Sequence, residues 1–156
     1  GWRYRWPFVD NMAFGGYNKH FRPARTTRDW LTKDERIVDA YLADERCTFL
    51  FTLNGYYNLF HSIEEASKPE NLQKMPMDLP VLFVSGAEDP VGNFGKGVEQ
   101  VRKAFQAVGM EDVTWILYEN DRHEILNETD RATVYKDLYA WLYVRMNDPR
   151  RKTGGK

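Results

Sequence analysis

Two side chains in this sequence have the types needed for proton transfer, Asp89 in S-G-A-E-D-P-V-G (Ser85–Gly92) and His123 in L-Y-E-N-D-R-H-E-I-L-N-E (Leu117–Glu128). A carboxylate that accepts an imidazole N–H fixes the ring's tautomer and stabilises the imidazolium formed when the ring takes a proton. The two together would be a general base with its orienting acid. Asp121, two residues before the histidine, is a second carboxylate that could compete for the same proton.

Both residues follow apolar runs of strand length, and those runs decide whether they can meet. V-L-F-V-S (81–85) is uninterrupted by polar residues, as in a strand buried on both faces, and V-T-W-I-L-Y (113–118) is a second such run. Between them, Val98, Val101, Phe105 and Val108 form one helical stripe over Gly97–Val108, with Gly109 suited to the C-terminal cap. After the second strand, Asn127 and Asp130 can cap a helix running to about Met146, with Tyr135, Leu138 and Leu142 on its inner face. Strand, helix, strand, helix is a βαβα unit with parallel strands in a right-handed connection. Ligands of open parallel sheets gather beyond the carboxyl ends of the strands, where Asp89 and Asp121–His123 fall.

The region before residue 76 has a different composition. The first 61 residues carry 14 of the chain's 23 aromatics, either as ordinary packing or as the lining of an apolar ligand pocket. T-K-D-E (Thr32–Glu35) reads as a capping box that starts a helix at Thr32, with Ile37, Val38, Tyr41 and Leu42 on its apolar face. Cys47–Phe60 suits a strand or a buried helix by periodicity, and the helical reading is taken on both sides of Asn54-Gly55. A proline-punctuated connection, K-P-E-N-L-Q-K-M-P-M-D-L-P, then divides a mostly helical, aromatic-rich region (1–75) from an α/β region (76–146), followed by a disordered tail (147–156).

Composition narrows the function. A net charge of -1 with no basic stripe gives no support for a nucleic-acid partner. No apolar run approaches the roughly 20 residues of a transmembrane helix, and the N-terminus lacks the apolar core of a signal peptide. One cysteine cannot make an internal disulfide, so a cytoplasmic setting is the default, and Cys47 is expected as a buried, inert thiol. His20 and His61 have no ligands at metal spacing, and Gly92, Gly95 and Gly97 lack the P-loop pattern, so neither metal nor cofactor is expected. Gly1 marks a processed end, a tag scar or a cut in a longer protein.

The segments around Asp89 and His123 resemble the acid and histidine segments of α/β-hydrolases of the monoacylglycerol lipase and lysophospholipase, or serine aminopeptidase-like, type. G-Y-N-K-H-F (Gly16–Phe21), D-W-L-T-K-D-E (Asp29–Glu35) and F-T-L-N-G-Y-Y-N-L-F (Phe51–Phe60) resemble the helical cap of these enzymes, so the likeness covers about residues 14–146. It implies an α/β fold, the C-terminal part of the hydrolase's parallel sheet preceded by the cap. It also implies Asp89 as triad acid and His123 as base, with Glu88 and Pro90 shaping the acid loop and Glu124 following the base. The chain departs from the family in carrying Asn120-Asp121 where glycines usually approach the histidine, though both residues tolerate left-handed backbone.

A larger departure is the nucleophile. Ser62, Ser67 and Ser85 sit in H-S-I, A-S-K and V-S-G, none in the G-x-S-x-G elbow that precedes acid and base in these enzymes. The expectation is a serine hydrolase of small apolar or lipid-like carboxylic esters, present as a fragment whose nucleophile lies before Gly1 and inactive alone. Two parallel strands also leave edges and faces uncovered, so the chain is expected to need the missing N-terminal half or self-association. The alternative is a non-catalytic binding module or one half of a split hydrolase. Peptidase, thioesterase and dehalogenase chemistry stay open, because acid and base do not identify the leaving group.

Overall fold

The computed structural model describes residues 1–149, so of the expected tail only 147–149 can be compared. The chain runs α1 (Pro7–Phe14), a 3-10 turn (Tyr17–His20), α2 (Glu35–Ala43), α3 (Leu53–Ser67), α4 (Pro69–Leu72), β1 (Val81–Gly86), α5 (Lys96–Ala107), β2 (Val113–Tyr118), a second 3-10 turn (Ile125–Asn127) and α6 (Arg131–Met146). Helices and short turns fill the first half, and the βαβα unit fills the second.

Strands β1 and β2 pair in parallel, with Val81 opposite Val113, Phe83 opposite Trp115 and Gly86 opposite Tyr118. This register is what brings the two strand-end loops level. The ladder continues past the strands, since Ala87 N donates to Tyr118 O at 2.8 Å and Glu88 N to Asp121 O at 2.9 Å. Gly86 permits that approach: a Cβ there would lie 2.1 Å from Asp121 O and 2.3 Å from Arg122 O. Helix α5 covers the sheet with Phe105, whose ring meets Phe83 edge-on at 5.1 Å. Residues 81–84 are only half-buried, because a two-stranded sheet with this cover leaves much of its apolar surface open.

Three expectations are corrected. Helix α2 starts at Glu35, with Asp34 as N-cap, because the Thr32 hydroxyl is used elsewhere, 2.9 Å from Glu128 Oε2 and 3.1 Å from Asn127 O. Residues 47–52 are not helical. Helix α3 begins at Leu53 under a Thr52 cap that accepts from Gly55 N at 3.1 Å, so Asn54-Gly55 lies inside its first turn. The buried side of α6 is Val134 with half-buried Leu138, Trp141 and Arg145, while Tyr135 and Leu142 are about half exposed, at 49% and 51%. Arg145 sets that rotation by gripping Asp112 at 2.6 and 3.0 Å while lying 4.0 Å over the Trp141 ring.

Candidate active site

Asp89 lies where β1 turns towards α5. Its Oδ1 accepts from Val91 N at 2.8 Å, closing a tight turn onto Pro90, and its backbone O accepts from Phe94 N at 2.8 Å. The loop then passes through three successive left-handed residues, Asn93 (φ 50°), Phe94 (φ 55°) and Gly95 (φ 82°). For a bulky residue such as Phe94 that conformation is strained by about 1–3 kcal/mol. Its ring meets His20 at 4.5 Å, tying the acid loop to the helical region. The result is a carboxylate with only 10% of its side chain exposed.

His123 arrives from the end of β2. Its Nδ1 lies 3.1 Å from Asp89 Oδ2 and 3.2 Å from Oδ1, so the proton sits on Nδ1 and points between two carboxylate oxygens. Nε2 is left as the basic nitrogen, with no hydrogen-bond partner among the described residues and with 37% of the side chain exposed. The other face of the imidazole meets Trp30 at 5.2 Å between ring centres. Asp121 does not compete, because its carboxylate is buried and its Oδ1 accepts from Lys33 Nζ at 2.9 Å.

The histidine loop is held from the helical side. His123 N donates to Trp30 O at 3.4 Å, and Glu124 N to Leu31 O at 2.8 Å. Arg122 Nη1 reaches Asp29 O at 2.5 Å and Thr32 O at 3.2 Å, with its guanidinium 4.3 Å above the Phe21 ring. Glu128, fully buried, closes the junction: Oε1 accepts from Arg122 N at 2.8 Å, and Oε2 from Lys33 N at 3.0 Å and the Thr32 hydroxyl. That Trp30, Thr32 and Glu128 hold the histidine loop was not read from the sequence, since the bonds from Trp30 to His123 and from Thr32 and Lys33 to Glu128 join residues more than 90 positions apart.

Asp121, Glu128 and Asp130 bring carboxylate oxygens within 4.8 Å of one another, a spacing that could hold a cation. Lys33 supplies the charge, its Nζ lying 2.9, 4.0 and 3.4 Å from the three. Burial works against the ammonium, but the bond to Asp121 and the surrounding negative charge outweigh it and raise its pKa. Burial raises the Asp121 pKa despite Lys33, and Asp130 stays depressed.

Trp30, whose ring meets His123, also walls a cavity of about 290 Å³ together with Phe14, Tyr41, Phe49 and Phe51. Cys47 also lines it and is exposed, which corrects the expectation of a buried thiol. A second, more polar cavity of about 590 Å³ is lined by side chains such as His20, Arg22, Lys33, Glu88 and Arg122.

Residues 6–130 match the family described as "Serine aminopeptidase, S33". The chain belongs to this family. Among solved structures, this α/β-hydrolase is similar to a highly thermostable carboxyl esterase from Bacillus coagulans in complex with glycerol, with 24% identity and a TM-score of 0.82 over 91% of this chain and 46% of that one. It is also similar to a lipase in an open form, with 24% identity and a TM-score of 0.77 over 89% of this chain and 45% of that one. No curated protein matches it. The α/β-hydrolase chain thus spans less than half the length of either solved relative, and at this identity the likeness carries the fold. Among its described residues, no helix is long and apolar enough to cross a membrane.

Proposed function

We propose that the chain is the cap and C-terminal part of a serine hydrolase that cleaves carboxylic esters with an apolar acyl group, of the monoacylglycerol lipase and lysophospholipase kind. Asp89 is the triad acid and His123 the base. The observation that carries this reading is the approach of His123 Nδ1 to both Asp89 oxygens, which leaves Nε2 without a hydrogen-bond partner among the described residues; the Trp30 ring packed on His123 also walls an aromatic cavity. The esterase and lipase among its structural relatives favour the ester class.

In this mechanism a serine Oγ attacks the ester carbonyl as Nε2 takes its proton, and Asp89 steadies the imidazolium. His123 then returns the proton to the departing alkoxide, and water repeats the sequence on the acyl-enzyme. The serine and the oxyanion-hole donors come from outside the chain, since Ser62, Ser67 and Ser85 are not elbow serines; Ser85 is buried on β1 and accepts from Trp115 Nε1 at 3.3 Å. A cytosolic setting belongs to the same reading, resting on the absence of any internal disulfide.

The test is labelling by a fluorophosphonate probe and turnover of p-nitrophenyl butyrate, with the chain alone and after addition of a polypeptide carrying the G-x-S-x-G elbow. The chain alone should neither label nor turn over. The complemented pair should do both, and His123→Ala should lower its turnover by about 10⁴-fold or more. Labelling of the isolated chain, or full turnover by the His123→Ala pair, overturns the proposal.

A further inference from the structure

The aromatic cavity beside Trp30 is not wholly apolar: the side chains of Asp10, Arg28 and Arg46 also line it. Two of these side chains have polar partners within the chain. Asp10 Oδ1 accepts from the Tyr56 hydroxyl at 2.6 Å, and Arg46 Nη2 lies 2.6 Å from Asp44 Oδ2. Arg28 is different. It is half-buried, and among the described residues its guanidinium has neither a hydrogen bond nor an ion pair; its bonds run through the backbone, N to Thr26 Oγ1 at 3.0 Å and O from Leu31 N at 3.0 Å.

The backbone that carries Arg28 is fixed by its neighbour Asp29. Asp29, buried, accepts from Arg25 N at 2.7 Å and from Thr26 N at 3.1 Å, which locks the loop that presents Arg28 and Trp30 together. Burial pushes up the hydroxyl pKa of Tyr41 and of Tyr56; the Arg28 charge opposes both shifts and the Asp10 charge adds to both. A guanidinium stays ionised in proteins, and a half-buried one gains most from a bidentate anion.

We propose that this cavity takes a substrate arm that is apolar along its length and carries one anionic group, a carboxylate or a phosphate, which pairs with Arg28. A neutral arm would displace water from Arg28 and give it no acceptor in return, whereas an anion supplies one. A cationic arm would face Arg28 directly, and Asp10 already accepts a hydrogen bond from the Tyr56 hydroxyl. The cavity is at the small end of the roughly 300–1,000 Å³ range of ligand sites, so the arm is short. Its link to catalysis rests on the hydrolase reading: Trp30 is both a wall of the cavity and the ring against His123, so the cavity and the base share one side chain.

Calorimetric titration of the 156-residue chain with octanoate, octyl phosphate and octanol tests the proposal without catalysis. At least one anion should bind tenfold or more tightly than octanol, a difference of about 1.4 kcal/mol. The tighter of the two anions identifies the group as carboxylate or phosphate. Arg28→Met should abolish the preference, with octanol bound at least as tightly as by the wild-type chain, and Arg28→Lys should keep part of it. Should Arg28→Met not fold, the wild-type preference and the Arg28→Lys titration decide. Equal binding of anion and alcohol, no binding of any probe, or a preference that survives Arg28→Met overturns the proposal. The titration involves no turnover, so failure of the hydrolase reading, seen in the complemented pair's turnover, and failure of the cavity reading, seen in these affinities, are separate results.

Discussion

His123 is constrained on one nitrogen and one ring face and open at the other nitrogen, the asymmetry a base needs. Asp89→Asn keeps the shape of the acid but replaces two acceptors with one, and its amide N–H can face Nδ1 and favour the wrong tautomer. In a complemented enzyme that change should lower turnover by about 10⁴-fold with little loss of stability, checked by kinetics beside a thermal melt. The support behind the base is also titratable. Burial works against the charge of Asp29, but hydrogen bonds from the Thr26 hydroxyl and from the Thr26 and Arg25 amides outweigh it, so its pKa lies below the ordinary 3.8. A carboxylate depressed in the fold contributes stability that is present above its ordinary value and lost as pH falls through the lowered one. The loop that carries Arg28 and Trp30 should therefore hold above pH 3.8 and loosen below it. The Trp30 indole resonance followed by NMR from neutral to acid pH checks this, and Asp29→Asn should remove that step from the titration.

Two contacts between elements set the distance from acid to base. Gly86 ends β1 against the backbone of Asp121 and Arg122, and a methyl group there has nowhere to go. Gly86→Ala should push the histidine loop away from β1, costing about 1–3 kcal/mol and breaking the Asp89–His123 bond. Loss of the downfield Nδ1–H resonance of His123 in a chain that still melts cooperatively would be the reading; an unchanged resonance contradicts it. Glu128 makes the second contact, and Glu128→Ala would strand the backbone N–H groups of Lys33 and Arg122, costing about 1–3 kcal/mol for each. Glu128→Gln should cost less, and denaturant melts of both variants rank them. The sequence patterns that announced β1, α5 and β2 are local, a β-branched run or a 3.6-residue stripe, and the structure agrees with them within a residue or so. Thr32 was misread for the opposite reason: a capping box and a long-range clamp use the same hydroxyl, and only the fold reveals that Glu128, rather than Glu35, is its partner. The α6 face was misjudged because its apolar residues surround the helix, and Arg145, a charged residue, chooses the buried side through Asp112.

At the scale of the molecule, the apolar surface is distributed as in a sheet that expects more neighbours. Among the described residues each strand pairs only with the other, so both carry an open edge, and the outer face of α6 presents Tyr139, Leu142, Tyr143 and Met146 at 51–73% exposure. Parallel sheets are ordinarily larger and covered on both faces, and contiguous exposed apolar surface promotes association. In isolation the 18.4 kDa chain should therefore self-associate at micromolar concentration and bind a hydrophobic dye. Sedimentation velocity checks the first, and Tyr139→Glu with Leu142→Glu should shift the population towards monomer without altering the His123–Asp89 contact, which lies at the other end of the βαβα unit. Addition of the elbow-bearing polypeptide should do the same as those substitutions, because both would remove the same surface from water. A wild-type chain that sediments as a clean monomer and ignores the dye would mean that α6 and the open strand edges are stable as they stand, and that the chain needs no partner to cover them.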